Sequence, residues 1–233
     1  MILGGPLQSW GASSRFDDRH TTEAPTKSGV IGMIAAAQGV DRSDSITHLL
    51  RLRFGVRLDQ PGTILRDFQT RALVGVKDGQ VSNRYYLQDA KFLVAIEGPD
   101  DLLDGIAHAL RHPTFPLYLG RRSCPPAGPI LPQVTDQSLT DALTTHPWVA
   151  SVAVQRSHRT ATVDLEVLTD ASAGDVPDFE LRDLPVSFAP EHRQYQQRQI
   201  TRSYVPVLNP TYIDTDSDTG SSFFDEHDPF LAL

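Results

Sequence analysis

The sequence has one cysteine, Cys124, in 233 residues, which excludes an internal disulfide and any multi-cysteine metal site. A lone thiol beside Pro125 reads as a small packing residue. No apolar run approaches the length that spans a bilayer, and no basic stretch followed by an apolar one opens the chain. A soluble, cytoplasmic protein without membrane contact is the expectation. Lysine is scarce: Lys27, Lys77 and Lys91 are the whole set, and none adjoins a histidine. No internal repeat is visible. Histidines His108 and His112 stand four apart, but no third ligand has suitable spacing and Pro113 ends the helix there, so neither a metal nor another cofactor is expected.

A net charge of −8 argues at first against a nucleic-acid partner. Its distribution removes the objection. From Asp214 onward there are six acidic residues and no Lys or Arg, and the remainder holds 23 acidic and 21 basic residues, a body charge of −2. Arg111, Arg121 and Arg122 lie in a stretch, Leu110 to Thr135, that contains no carboxylate. Phosphate responds to the local field of a site more than to the sum over the protein, so charge permits RNA binding without requiring it. With 39% hydrophobic and 21% charged residues, the chain can bury an ordinary core.

Hydrophobic periodicity organises the chain. Met1-Ile2-Leu3 is the stub of a strand before Gly4-Gly5-Pro6, and a polar loop runs from Gln8 to Pro25. Ser28 is positioned to cap a helix whose Val30, Ile31, Ile34 and Ala37 form one stripe, with Gly39 as its stop. A second short helix fits Ser43 to Leu52. Phe54, Val56 and Leu58 alternate with Arg53, Gly55 and Arg57, the pattern of a strand with one wet face. Residues 67–88 carry Arg71, Lys77, Arg84, Tyr85 and Tyr86 around a Lys77-Asp78-Gly79 turn signal and read as a projecting hairpin or loop, outside the core. Lys91 to Glu97 is a central strand, Asp100 to Leu110 a helix, and Phe115 to Leu119 an edge strand confined there by Pro116.

This order is the βαββαβ arrangement of α+β, ferredoxin-like (RRM-like) folds that recognise RNA. It predicts a first domain over 1–124 with the projection at about 67–90. A Pro-rich connector then leads into a smaller, mostly β region over 125–210, with Val152/Val154 and Ala161/Val163/Leu165/Val167 alternating about a Ser157-His158-Arg159 turn. The acidic stretch 211–233 reads as a disordered tail.

Four blocks in order carry a family resemblance. They are Gly5-Pro6-Leu7-Gln8-Ser9-Trp10-Gly11, Pro25-Thr26-Lys27-Ser28-Gly29-Val30-Ile31-Gly32, Tyr118-Leu119-Gly120-Arg121-Arg122-Ser123-Cys124-Pro125, and a looser run from Arg182-Asp183-Leu184-Pro185-Val186-Ser187-Phe188 to Arg198. Together they resemble the CasD family, the RAMP-superfamily subunit of CRISPR Cascade complexes, and frame the chain to about Leu208. Lys27 stands where that family often has arginine, the first strand is short for it, and the acidic tail has no counterpart in it. The resemblance implies a RAMP domain with a β-hairpin thumb. It also implies a non-catalytic role: holding the repeat-derived 5′ handle of the guide RNA and capping the backbone filament for antiviral defence. The implied neighbours are a CasC-type backbone subunit and a CasA-type large subunit, with target DNA reached through the complex.

Candidate RNA contacts follow from residue chemistry beside this resemblance. Lys27 and Ser28 open a glycine-bearing helix, a natural phosphate site, although simple capping explains them equally well. Trp10 reads as a packing anchor. Arg121 and Arg122, with Ser123 beside them, offer forked donors that match phosphates. Tyr118 suits either base stacking or the core. Arg84, with Tyr85 and Tyr86, combines a cation with two aromatics on the projection, and the resemblance puts Arg84 on the thumb, reaching into the guide.

The competing reading is a metal-independent endoribonuclease that processes repeat RNA. Such chemistry needs a base for the 2′-hydroxyl, an acid for the leaving oxygen and a cation for the charged phosphorane. Related enzymes use a tyrosine with adjacent lysine and histidine. That pairing is missing here; His20 with Arg19, in an unplaced loop, is the substitute considered.

Overall fold

The computed structural model describes residues 1–11, 18–71 and 80–213. In chain order these form β1 (Ile2–Gly4), β2 (Leu7–Gln8), β3 (Asp18–Arg19), α1 (Lys27–Gln38), β4 (Arg53–Gln60), β5 (Thr63–Arg71), β6 (Gln80–Gln88), β7 (Lys91–Glu97) and α2 (Asp100–Arg111). They continue with α3 (Leu139–Thr145), α4 (Val152–Ser157), β8 (Thr162–Asp170), β9 (Phe179–Ser187) and β10 (Gln194–Leu208). The Lys77-Asp78-Gly79 turn signal and the stretch from Asp214 onward lie outside the described residues.

One six-stranded sheet, ordered β1-β7-β4-β8-β10-β9, runs through the whole molecule. Its neighbouring strands pair antiparallel throughout. β4 is its hinge in sequence terms, pairing β7 on one side and β8 on the other. Residues 125–210 thus extend the first sheet, and they bring two helices with them. Val152 and Val154 belong to α4 and not to a strand, because Ser151 caps the turn by accepting from the Val154 N–H. Ser157-His158-Arg159 ends that helix and makes no hairpin. α3 opens on Ser138, whose hydroxyl accepts from the Asp141 N–H and donates to the Asp141 carboxylate, a capping arrangement readable as Ser-x-x-Asp.

The core lies on both faces of this sheet. α1 and α2 cover one face over Leu3, Phe54, Val56, Phe92 and Val94; α3, Trp148 and the strand residues Leu93, Leu165, Val167, Val205 and Val207 form the other cluster. From Phe54 onward β4 is therefore dry on both sides. The expected wet face carries Gly55, where a Cβ would lie 2.7 Å from Leu143, and Arg57, which is fully buried. Arg57 is tolerated there because Asp59 takes its Nε and Nη2, each at 2.8 Å, while the carbonyls of Leu143, His146 and Pro147 accept its remaining donors. Two further expectations fail. Ser43 to Leu52 holds only a 3-10 turn, Thr47–Leu49, and residues 112–119 form no strand.

β5 and β6 pair along their length as an antiparallel hairpin, with Asp67 opposite Arg84 and Arg66 opposite Tyr85. The other edge of β6 receives β2 antiparallel and β3 parallel. This second, four-stranded sheet connects the N-terminal segment to the hairpin.

Candidate nucleic-acid interface

Three of the four sequence blocks converge on Trp10, which is fully buried. Its indole lies against Gly29 of α1, where a Cβ would sit 2.7 Å from the ring, and its Nε1 donates to Gln8 Oε1. Gln8 in turn donates to the carbonyl of Ala90. The Gly120 turn crosses on top: a Cβ there would lie 1.9 Å from the Ser9 carbonyl oxygen, and φ is +84°. Only glycine fits both limits. The Ser9 N–H donates to Leu119 O, and Leu119 N–H to Cys124 O at 2.7 Å, so the turn 119–124 closes on itself while docked to the first block. Trp10 is thus the packing anchor that its position implied.

This docking presents Arg121, Arg122 and Ser123 beside the hairpin. Arg121 Cζ stands 5.2 Å from the centre of the buried Tyr86 ring on β6, and Ser123 Oγ lies 3.4 Å from the Tyr86 hydroxyl. Arg122 and Ser123 are exposed, Arg121 and Tyr118 half-buried. Arg84, two residues before Tyr86 and so on the same face of β6, is half-buried, and its Nε makes no hydrogen bond among the described residues. Arg121 and Ser123 thus lie against Tyr86, with Arg84 two residues along the same face of β6 and Arg122 next in the turn. Inside the turn, burial pushes the Cys124 thiol up, opposed by the Ser123 hydrogen bond and the Arg121 charge.

Lys27 and Ser28 are placed differently from the phosphate-site expectation. The helix cap is Thr26, whose hydroxyl accepts from the Gly29 N–H, and Ser28 is buried in the first turn. The Lys27 N–H donates to Asp183 Oδ2 at 2.7 Å, and its ammonium pairs with Asp170 Oδ2 at 2.7 Å. A protein carboxylate already occupies the positive end of α1. Gly29 and Gly32 admit Trp10 and Phe188, respectively. Arg198 completes this cluster, reaching Asp183 with Nε and Nη2 and Asp170 with Nη1. Those acceptors raise the Arg198 pKa against the desolvation of burial.

Two features were not anticipated in the sequence. Tyr86 serves as the platform under Arg121; the residue stood out, but nothing local joins positions 86 and 121. His20, weighed only with Arg19 as a substitute for a lysine–histidine pair, stacks on Tyr85 with ring centres 5.0 Å apart. Among the described residues no group of three metal-binding side chains occurs, and no helix is long and apolar enough to cross a membrane.

Residues 2–201 match the family model described as CRISPR-associated protein (Cas_Cas5). The chain is 33% identical over 149 residues to the CRISPR system Cascade subunit CasD of Escherichia coli strain K12, an alignment spanning 55% of this chain and 66% of that protein. It is similar to a chain of a CRISPR RNA-guided surveillance complex, with 36% identity, a TM-score of 0.74 and coverage of 89% of this chain and 90% of that one. A second similar structure is a Cas protein, 35% identical with a TM-score of 0.67, covering 88% and 93%.

Proposed function

The chain belongs to the CRISPR-associated Cas5 family, and from that premise we propose that it is a non-catalytic Cascade subunit that grips the 5′ handle of a guide RNA. Arg121 and Arg122 hold phosphates, Ser123 adds a hydroxyl, Arg84 enters between nucleotides, and Tyr118 lies beside the turn as a stacking ring. The observation that carries this reading is the Arg121–Tyr86 contact, which sets the arginine turn against an arginine-bearing hairpin. A guanidinium held over a ring keeps its forked donors ordered, so less freedom is lost when a phosphate arrives. In this reading β1, β7 and β4 with α1 and α2 are a ferredoxin-like frame, the β5–β6 hairpin is its thumb, and Lys27 and Ser28 belong to the frame. The partners are a CasC-type backbone subunit and a CasA-type large subunit, with target DNA engaged through the assembly.

The test is RNA retention across a salt series in a complex reconstituted with the full chain. Changing both Arg121 and Arg122 to Ala is expected to weaken binding and reduce the salt slope by about 1.4, two phosphates at roughly 0.7 each on a single strand. Unchanged retention and slope would make the pair a solvated turn. Arg84→Ala is expected to impair assembly or target engagement more than salt-dependent affinity.

A further inference from the structure

The chain leaves the sheet at Asn209, which is buried and ties this exit to the end of α4. Its side-chain amide donates to the carbonyls of Gln155, His158 and Thr160, at 3.0, 3.0 and 3.2 Å. Its Oδ1 accepts from the Thr211 N–H, so the backbone turns there. The segment tied in this way carries Arg156 and Arg159. Both are exposed, and neither makes an ion pair among the described residues. Buried Trp148 steadies the same loop, meeting the His158 ring edge-on with centres 5.3 Å apart. In sequence, residues 142–163 hold the two arginines with His146 and His158, and no carboxylate.

Beyond Ile213 the sequence reverses sign. Asp214, Asp216, Asp218, Asp225, Glu226 and Asp228 follow, with no Lys or Arg among them. The first three alternate, so an extended chain turns their carboxylates to one side. They stand five, seven and nine residues after Asn209, an extended reach of about 17 to 30 Å. So short a tether gives these carboxylates an effective concentration on the order of millimolar beside the arginines. We propose that the acidic segment from Asp214 onward docks on Arg156 and Arg159 and screens them from nucleic acid. Exposed ion pairs are individually weak and salt-sensitive, so the contact yields to salt or to a stronger polyanion. Nucleic acid fits the same guanidiniums but lacks the tether. The inference goes beyond the guide-holding reading and does not depend on it. Val154 of α4 packs with the core cluster on the α3 face, whereas the Arg121 turn docks on Trp10, in the cluster on the α1 face.

The experiment uses the full chain with a nitroxide on Ser217→Cys; Cys124 is buried and stays unlabelled in the native protein. At low salt the label is expected to show restricted motion. About 0.5 M salt should release it, as should Arg156→Ala with Arg159→Ala. Arg42→Ala with Arg51→Ala, which removes two exposed arginines elsewhere, should leave it restricted. The second readout is binding of oligouridylate, a polyanion without guide sequence. Changing the six acids to Asn or Gln keeps the chain length and should steepen the salt slope by about 1.4, two phosphate contacts at roughly 0.7 each. Adding the Arg156/Arg159 double substitution to that chain should cancel the increase. A label that moves freely at low salt overturns the docking. Restricted motion that survives loss of the arginine pair puts the segment elsewhere and overturns it too. An unchanged slope after neutralisation, or an increase that the arginine pair does not cancel, removes the screening and with it the proposal. None of these results bears on Arg121 and Arg122, which the guide-retention series tests separately.

Discussion

Arg198 and Asp183 form a buried two-pronged ion pair, with Nε on Oδ1 at 2.7 Å and Nη2 on Oδ2 at 2.8 Å. Asp183 also receives the first backbone N–H of α1, so one carboxylate ties β9, β10 and the helix start together. Asp183→Ala leaves Arg198 buried beside a missing partner and strips the helix of its anion. A loss of about 3–5 kcal/mol is expected, the range for breaking a buried pair on one side. Chemical denaturation with an unchanged slope is the measurement; a loss below about 1 kcal/mol would mean that water replaces the carboxylate.

Gly120→Ala tests the docking of the arginine turn. The added methyl would fall 1.9 Å from the Ser9 carbonyl oxygen at a φ of +84°, so the turn must move away from Trp10. The expected cost is on the order of 1–3 kcal/mol, accompanied by RNA affinity as poor as that of the Arg121/Arg122 double variant. Near-wild-type RNA affinity in Gly120→Ala would separate the turn's geometry from binding.

Tyr86 separates two contributions. Tyr86→Phe keeps the ring beneath Arg121 and removes only the hydroxyl near Ser123, so RNA affinity should stay within about twofold. Tyr86→Leu removes the ring, and RNA affinity should fall further than melting temperature alone explains. Equal affinity in the two variants would show that the ring does not order Arg121.

Cys124 is fully buried and its thiol is pushed up, so alkylating reagents should leave it untouched in the native chain and modify it once the protein is denatured. The sign for stability follows from the raised value. Below the ordinary thiol value of 9.0 both folded and unfolded chains keep the proton and nothing changes. Above it the unfolded chain releases the proton first, so stability falls as pH rises. Cys124→Ser or Cys124→Ala should flatten that alkaline decline in a pH series of melts.

Incubated with labelled repeat RNA and chelator, the purified chain is expected to leave it intact. Lys27 is committed to Asp170 and Lys91 has no histidine beside it in the sequence, so the cation that cleavage needs at the phosphorane is not adjacent to a base at either position. Site-specific cutting that survives removal of contaminating nuclease, and is lost in His20→Ala, would make this an enzyme.

What the sequence disclosed was local. The stripe Val30, Ile31, Ile34 and Ala37 with Gly39 behind it marked α1 because capping and periodicity act within a few residues, and the same holds for β7 and α2. Lys27 was legible as a cation at a helix start, but its partner Asp170 is 143 positions away, and no local pattern announces that pairing. Arg57 looked solvent-facing because arginine usually is; the Asp59 two residues on, in the same strand and on the same face, was the available signal that the charge could be buried. The antiparallel β5–β6 pairing falls on the stretch read as a projecting hairpin or loop, while its Lys77-Asp78-Gly79 turn signal lies outside the described residues. The rings and cations that each face collects depend on strand register, which the sequence leaves open.

The position of β4 between β7 and β8 has a consequence for synthesis. On the ribosome the chain through α2 is made before β8 exists, so β4 waits with one backbone edge uncovered and with Arg57 lacking the α3 carbonyls that satisfy it. Such an edge templates pairing with any passing strand. Fragments broken within the Pro-rich connector should therefore be insoluble when expressed separately, and should recover solubility only when both halves are produced in the same cell.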